Sequence, residues 1–330
     1  MSSIDTLLQL LQDDREKIDS TMSLDIAHLE KTFDERLISV LRYGLLGGGK
    51  RIRPLLAVVS SRLCGQPGKD IYMLAIAFEY LHAATLFHDD VIDQAEKRRG
   101  KPSVYKEFGI ETAILAGDFL HARSMEIIGR YGGVECLKVF CRATAIMVDG
   151  EFLQLANAKN YNQSENDYFK TIEGKTALLI SAATEIGAIC GGANDKQRLA
   201  LLEYGRNLGY GFQIIDDLLD YLGNSQKTGK AVGNDLEEGK MTLPLILAMA
   251  SANPQDRERL VGVLRDQTRR RQSFDLVRRL IEKYDGFEQT SKKAEQFVSA
   301  AIDQLQVFSG ENRDVEILTG LARYVLTREK

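Results

Sequence analysis

Apolar positions recur along most of the chain at three- and four-residue spacing, interrupted by short polar or glycine-bearing breaks, and no long strand-like alternation occurs. Leu7, Leu8 and Leu11, then Ile26, Leu29, Phe33, Leu37 and Leu41, predict two helices over Ile4 to Leu41, parted near Asp19-Ser20. Leu55 to Leu63, Ile71 to Asp93, Ala113 to Tyr131 and Val134 to Ala156 read as further helices, with a turn at Gln66-Pro67-Gly68-Lys69 and a break at Gly132-Gly133. Asn157 to Asn166 is polar and reads as a loop. Asp167 to Cys190 and Asp195 to Tyr221 are long helical patterns parted by Gly191-Gly192. Gly223 to Lys240 reads as a loop or lid, and Thr242-Leu243-Pro244 opens another helix. Beyond Pro254 the pattern is amphipathic helix, with Arg269-Arg270-Arg271 on a solvated face. The prediction is a nearly all-α protein of about ten or more helices. No linker divides it, so it reads as one domain over 1–330.

Two of these helices end in acidic clusters, Asp89-Asp90-Val91-Ile92-Asp93 and Asp216-Asp217-Leu218-Leu219-Asp220. Positions i and i+4 share a helix face, so Asp89 points with Asp93 and Asp216 with Asp220. Carboxylates set this way repel one another, and a divalent cation is the simplest balancing charge. A single such cluster would read as a solvated face. A pair, each following an apolar run, reads as a metal site.

Basic groups accompany them. Three consecutive glycines, Gly47-Gly48-Gly49, precede Lys50-Arg51-Ile52-Arg53-Pro54, a glycine turn with cations at a helix start. The stretch falls short of a nucleoside-triphosphate loop, because Arg51 stands where Ser or Thr is required and no strand precedes it. His82 lies about two helical turns before Asp89 and shares its face. Arg98 and Arg99 follow the first acidic cluster and suit phosphate oxygens. Lys175 and Thr176 stand where the helix turns apolar, and a lysine there could also simply snorkel.

Composition narrows the substrate. Of 330 residues 44% are apolar, and 43 Lys and Arg against 47 Asp and Glu give a net charge of −4, which argues against a nucleic-acid binder. Cys64, Cys136, Cys141 and Cys190 lack metal-ligand spacing and read as buried thiols of a reducing compartment. No signal sequence is read at the N-terminus, and no apolar run of about 18 residues lacks a charge, so no membrane span is expected. Carboxylates on facing helices could hold two or three Mg²⁺ ions, and cations with apolar walls complete a pocket for a diphosphate head with an apolar tail. Such a pocket would draw off diphosphate as a C–O bond breaks, leaving an allylic cation for a second substrate's double bond.

Gly48-Gly49-Lys50-Arg51-Ile52-Arg53-Pro54, Leu86-Phe87-His88 with the first acidic cluster, Arg98-Arg99-Gly100, Gly174-Lys175-Thr176 and Gly211-Phe212-Gln213-Ile214-Ile215 with the second resemble the trans-isoprenyl diphosphate synthases of the polyprenyl synthetase family. The resemblance spans essentially the whole chain. It implies the isoprenoid synthase fold, a helical bundle around a deep cavity, and a homodimer. It places Lys50, Arg53, His82 and Arg99 on isopentenyl diphosphate. It places Asp89 and Asp93, with Arg98, on Mg²⁺ and the allylic diphosphate, and Lys175, Thr176, Gln213 and Lys230 on the allylic substrate. Asp216 and Asp220 hold further Mg²⁺, with Asp217 nearby and Lys240 a weaker candidate. Ala84 and Thr85, small residues just before the first cluster, suggest an open channel and a medium- or long-chain product such as octaprenyl diphosphate. Leu115, Ile146 and Met147 are candidates for its floor. A cytoplasmic enzyme whose long products bring it near membranes is the expectation. Short-chain farnesyl or geranylgeranyl diphosphate synthesis, a terpene cyclase and a non-catalytic subunit of a heteromeric synthase are the alternatives.

Overall fold

The computed structural model describes residues 7, 9–65, 68, 70–223, 232–308 and 312–327. Among them sixteen α-helices follow one another: α1 (Gln12–Leu29), α2 (Glu35–Leu45), α3 (Ile52–Cys64), α4 (Ile71–Ile92), α5 (Val104–Phe108), α6 (Ile110–Asn160), α7 (Glu165–Ile172), α8 (Leu178–Cys190), α9 (Asp195–Leu222), α10 (Asn234–Glu238), α11 (Leu243–Ser251), α12 (Pro254–Arg265), α13 (Gln267–Gln272), α14 (Phe274–Lys283), α15 (Gly286–Gln304) and α16 (Arg313–Thr327). A π-turn, Glu173–Ala177, joins α7 to α8. The extended structure is one small antiparallel hairpin, β1 (Lys97–Arg98) and β2 (Lys101–Pro102), among the described residues. The fold is all-α, as the periodicity predicts.

The chain forms two compact units. The first is Met1–Arg142, Ala182–Leu202 and Val307–Leu318; the second is Ala143–Ser181, Glu203–Gln306 and Thr319–Lys330. In the first unit α4 is the central helix, packed against α1, α2 and α3. Its length and mean hydropathy of 1.2 would suit a membrane span, yet 67% of the apolar window is buried in the protein. Phe78 and Tyr80 of α4 are wholly buried, and Phe78 meets Phe140 edge-on at 5.5 Å. In the second unit α11 is fully apolar and packs on α7, α14 and α15. Phe169, Tyr210 and Phe297 form an aromatic cluster beside it, with Tyr210 and Phe297 at 4.8 Å.

Several boundaries differ from expectation. α1 runs through Asp19-Ser20 without a break. The polar side chains there do not end the helix: Asp19 bonds Arg51, and the Ser23 hydroxyl folds back on the Asp19 carbonyl one turn earlier, an arrangement a helix accommodates. The chain turns instead at Thr32 to Asp34, and Asp34 caps α2 through the Arg36 N–H at 2.9 Å. At Gly132-Gly133 the long helix is kinked, with Gly133 at φ 74°, ψ −172°, a conformation open to glycine. The predicted loop at Asn157 shrinks because α6 continues to Asn160 and Ser164 caps α7 at once. The predicted helix over Asp167 to Cys190 is interrupted by the π-turn. Arg270 departs from the expected solvated face. It is buried, its Nε donates to the Leu264 carbonyl at 2.9 Å, and its guanidinium holds the Glu237 carbonyl at the end of α10, while Arg269 and Arg271 remain exposed. Of the cysteines only Cys136 is fully buried; the other three are half-buried.

Candidate active site

The first acidic cluster closes α4 in the first unit. Asp93 is the C-cap, exposed, its N–H bonded to the Asp89 carbonyl at 2.8 Å. Asp89 is half-buried one turn earlier on the same side. Asp90 turns the other way and is 1% exposed. Arg98 grips it with two nitrogens, Nη2 to Oδ1 at 2.6 Å and Nε to both oxygens at 2.8 and 2.9 Å. That fork pins the hairpin to the helix end, and Arg99 on the same hairpin donates to the Gly48 carbonyl. Arg98, assigned to the allylic diphosphate by resemblance, is therefore tied first to Asp90.

Beside the hairpin lies a solvent-open cleft lined by His82, Arg51, Arg98, Arg99, Lys101 and Glu79, with apolar walls from Leu86, Phe87 and Val104. Arg51 is a brace rather than a ligand. Its side chain is 2% exposed and bonds Asp19 at 2.7 Å, Glu79 at 2.6 Å and the Leu45 carbonyl at 2.9 Å. Burial opposes its charge, but Glu79 and Asp19 outweigh burial and raise its proton affinity. Arg53 is different. Burial lowers its proton affinity, only Glu79 opposes that, and its buried Nε has no hydrogen-bond partner. An orphaned guanidinium nitrogen of this kind suits an anion. Lys50 is exposed.

His82 lies among these cations. Burial, then repulsion from Arg53, Arg99, Arg98 and Arg51, holds its ring well below the ordinary histidine value of 6.5. The ring is neutral at physiological pH and can donate and accept at once. Below about pH 6.5 the unfolded chain binds a proton here that the folded chain refuses, so this group withdraws stability as pH falls through that value. NMR of His82 in the free protein is expected to show flat ring shifts between pH 5.5 and 8; a midpoint near 6.5 contradicts its burial among arginines.

Close backbone packing shapes the corresponding region of the second unit. A Cβ on Gly174 would come within 2.8 Å of the Ile146 carbonyl oxygen and 3.0 Å of Gly150 Cα, and one on Gly150 would reach the Lys175 nitrogen at 2.9 Å. Glycines at both positions let the π-turn lie directly on α6. Such widened turns often mark functional positions. This one presents Lys175, paired to Glu151 of α6 at 2.8 Å, and Thr176, whose hydroxyl donates to Gln213 Oε1 at 2.7 Å.

A second cavity, open to solvent, is lined by Lys175, Gln213, Asp216, Asp217, Asp235, Tyr168 and Lys240. Asp216 is half-buried. Asp217 is 4% exposed, and its oxygens accept from Tyr168 at 2.7 Å and Gln213 at 2.9 Å. Burial, then the Asp235 carboxylate, pushes its carboxyl up to about 8, against the two hydrogen bonds. Asp220 is 7% exposed, and one oxygen accepts from the Asp235 N–H at 3.1 Å, bracing the start of α10. Lys240 pairs with Glu238 and, at 3.6 Å, with Asp235. Lys230 lies outside the described residues.

Among the described residues no three His, Cys, Asp or Glu side chains converge into a ready cage for a metal. Mg²⁺ does not need one, since it commonly takes one or two carboxylates and completes its shell with water and substrate phosphate. The oxygen donors of Asp89 with Asp93, and of Asp216, fit that pattern.

Of the expected chain-length residues, Ala84 is buried and Thr85 half-buried, its hydroxyl folded onto the His82 carbonyl at 2.8 Å. Leu115 is 66% exposed, while Met147 is buried and Ile146 half-buried. Sequence reading missed Glu79, Asp90, Glu151, Tyr168 and Asp235. Three of these left a visible signal without a role: Asp90 stands inside the first acidic cluster, Glu151 breaks the apolar line from Val134 to Ala156, and Glu79 is the one formal charge in the apolar run from Ile71 to Leu86.

Comparison with known proteins agrees with this chemistry. The profile of the family described as polyprenyl synthetase matches residues 34–282. The octaprenyl diphosphate synthase of Escherichia coli (strain K12) is 36% identical over 322 residues, covering 96% of this chain and 99% of that protein. The geranylgeranyl diphosphate synthase of Saccharolobus solfataricus is 34% identical over 291 residues, 86% of this chain and 87% of that one. A crystal structure of polyprenyl synthase from Caulobacter crescentus CB15, complexed with calcium and isoprenyl diphosphate, superposes with a TM-score of 0.91 at 34% identity, covering 99% of this chain and 98% of that one. The chain belongs to the polyprenyl synthetase family and is an enzyme of it, a trans-prenyltransferase.

Proposed function

We propose that this enzyme condenses isopentenyl diphosphate with an allylic diphosphate such as farnesyl diphosphate, in successive head-to-tail steps, to a medium- or long-chain all-trans polyprenyl diphosphate. The observation that carries the reading is the coexistence of paired acidic clusters with a basic, partly apolar cavity near the first and a polar cavity lined by Lys175, Lys240 and aspartates at the second. Arg53, His82 and Arg99, with Lys50, bind the isopentenyl diphosphate, and the walls at Leu86 and Phe87 take its five-carbon body. Lys175, Thr176 and Gln213, with Lys230, bind and orient the allylic substrate. Asp89 and Asp93, and Asp216 with Asp220, would hold Mg²⁺. When bound, Mg²⁺ supplies positive charge to the departing diphosphate. The cations of the chain share that work, and the apolar walls keep water from the allylic carbon. No side chain is assigned as the base that takes the final proton.

Chromatography of products made by the purified chain from isopentenyl and farnesyl diphosphates with Mg²⁺ tests this reading. A ladder of polyprenyl diphosphates beyond twenty carbons supports it. A hydrocarbon or alcohol indicates a cyclase, no turnover indicates a non-catalytic subunit, and a stop at fifteen or twenty carbons indicates a short-chain enzyme.

The longer product is supported by the small residues Ala84 and Thr85 and by identity to octaprenyl diphosphate synthases. Short-chain relatives share similar identity, so the carbon number at which the ladder ends tests this assignment. Ala84→Phe is expected to shift the ladder toward shorter products, because filling a close-packed wall blocks a chain. An unchanged ladder removes Ala84 from the channel.

A cytoplasmic homodimer acting as one domain completes the proposal. The dimer is supported by apolar side chains left exposed on α6, Ile110, Ile114 and Leu115 in its first half and Val148, Phe152 and Leu155 in its second. Sedimentation and cell fractionation test these assignments.

A further inference from the structure

We propose that Tyr168 is a positioning residue that fixes the amide of Gln213 in one orientation for the allylic substrate, working through Asp217. The inference rests on the allylic role proposed for Gln213.

A glutamine amide can present either end to a ligand, and its orientation is set by its partners. Here both ends are committed. Thr176 donates its hydroxyl to Oε1 at 2.7 Å, and Nε2 donates to Asp217 Oδ1 at 2.9 Å. The first bond alone would leave the nitrogen end free to swing, so the orientation depends on Asp217. Tyr168 holds Asp217 in turn, donating to Oδ2 at 2.7 Å. Each carboxylate oxygen thus receives an internal donor, and Asp217 serves as a brace between two side chains. Gln213 keeps one N–H beyond the Asp217 bond for a ligand oxygen.

Tyr168 is suited to this task. It is 5% exposed, sits on α7, and its ring packs edge-on against Phe169 at 5.4 Å, so the hydroxyl is delivered by a rigid group. The chain Tyr168–Asp217–Gln213–Thr176 ties α7, α9 and the π-turn together, and its first three members line the cavity that Lys175 and Asp216 also line. Removing the phenol hydroxyl leaves the buried Asp217 carboxyl one hydrogen-bond partner short. It then turns toward other donors and releases the Gln213 amide.

Tyr168→Phe tests this while keeping the ring. The KM for the allylic diphosphate is expected to rise about fivefold, the size of losing one buried hydrogen bond, with the KM for isopentenyl diphosphate within about twofold of wild type. The side-chain amide signals of Gln213, labelled with ¹⁵N and assigned with Gln213→Glu, are expected to be sharp and dispersed in the wild type and broadened or shifted toward free glutamine in the variant. Equal rises in both KM values, or unchanged Gln213 signals, overturn the proposal. Should the wild type transfer no prenyl group, the functional reading fails, and the amide signals still decide whether Tyr168 orders Gln213.

Discussion

Asp89→Ala lowers turnover by about 10²–10³-fold or more while far-UV circular dichroism stays that of the wild type, and Asp216→Ala does the same. The size follows from removing a group that stabilises charge only as the leaving group departs. The preserved fold follows from the surroundings. Asp89 and Asp216 are half-buried, whereas the adjacent Asp90 and Asp217 are buried. Alanine is also a better helix former than aspartate, so each substitution favours its helix. Steady-state rates at saturating substrate, read beside the dichroism, check the pair. Wild-type turnover in either variant at ordinary Mg²⁺ removes that carboxylate from the chemistry.

Arg51→Ala costs about 3–5 kcal/mol of stability, the range for removing one partner of a buried ion pair. Three elements lose their common tie: α1 through Asp19, α2 through the Leu45 carbonyl, and α4 through Glu79. Glu79, 6% exposed, loses its direct ion-pair partner and keeps only the more distant charges of Arg53 and Arg99. Lysine does not rescue the variant, because its single ammonium cannot send donors in three fixed directions. Urea denaturation reads the loss. A change under about 1 kcal/mol, with weakened isopentenyl diphosphate binding instead, would make Arg51 a ligand contact rather than a brace.

The division of labour inside each motif was hidden in the sequence, although the motifs themselves were plain. Helical spacing predicts that Asp89 and Asp93 share a face, and burial sets Asp90 on the other side. What Asp90 does depends on a hairpin that returns Arg98 to it, and two-residue strands leave no periodic trace. In the same way the run Lys50-Arg51-Ile52-Arg53 shows cations without distinguishing them. The fold turns Arg51 toward Glu79 and leaves the Arg53 nitrogen unpartnered, and neither outcome follows from local pattern. The helices were legible wherever apolar periodicity was long, as in α4 and α9. The break set at Asp19-Ser20 failed because polar residues end a helix only when their side chains bond its backbone at a cap, and Asp19 reaches Arg51 instead. The π-turn was invisible because its cause is the contact of Gly174 with Gly150, which lies on another helix. Arg270 looked solvated because its partners are backbone carbonyls, which every sequence possesses.

Calorimetric titration of Mg²⁺ into the enzyme saturated with a non-cleavable allylic diphosphate analogue tests the metal assignment directly. The wild type is expected to take up two or three ions per chain, with fewer in Asp89→Asn and fewer in Asp216→Asn. An unchanged number of ions in both variants would contradict the assignment of magnesium to these two carboxylate clusters.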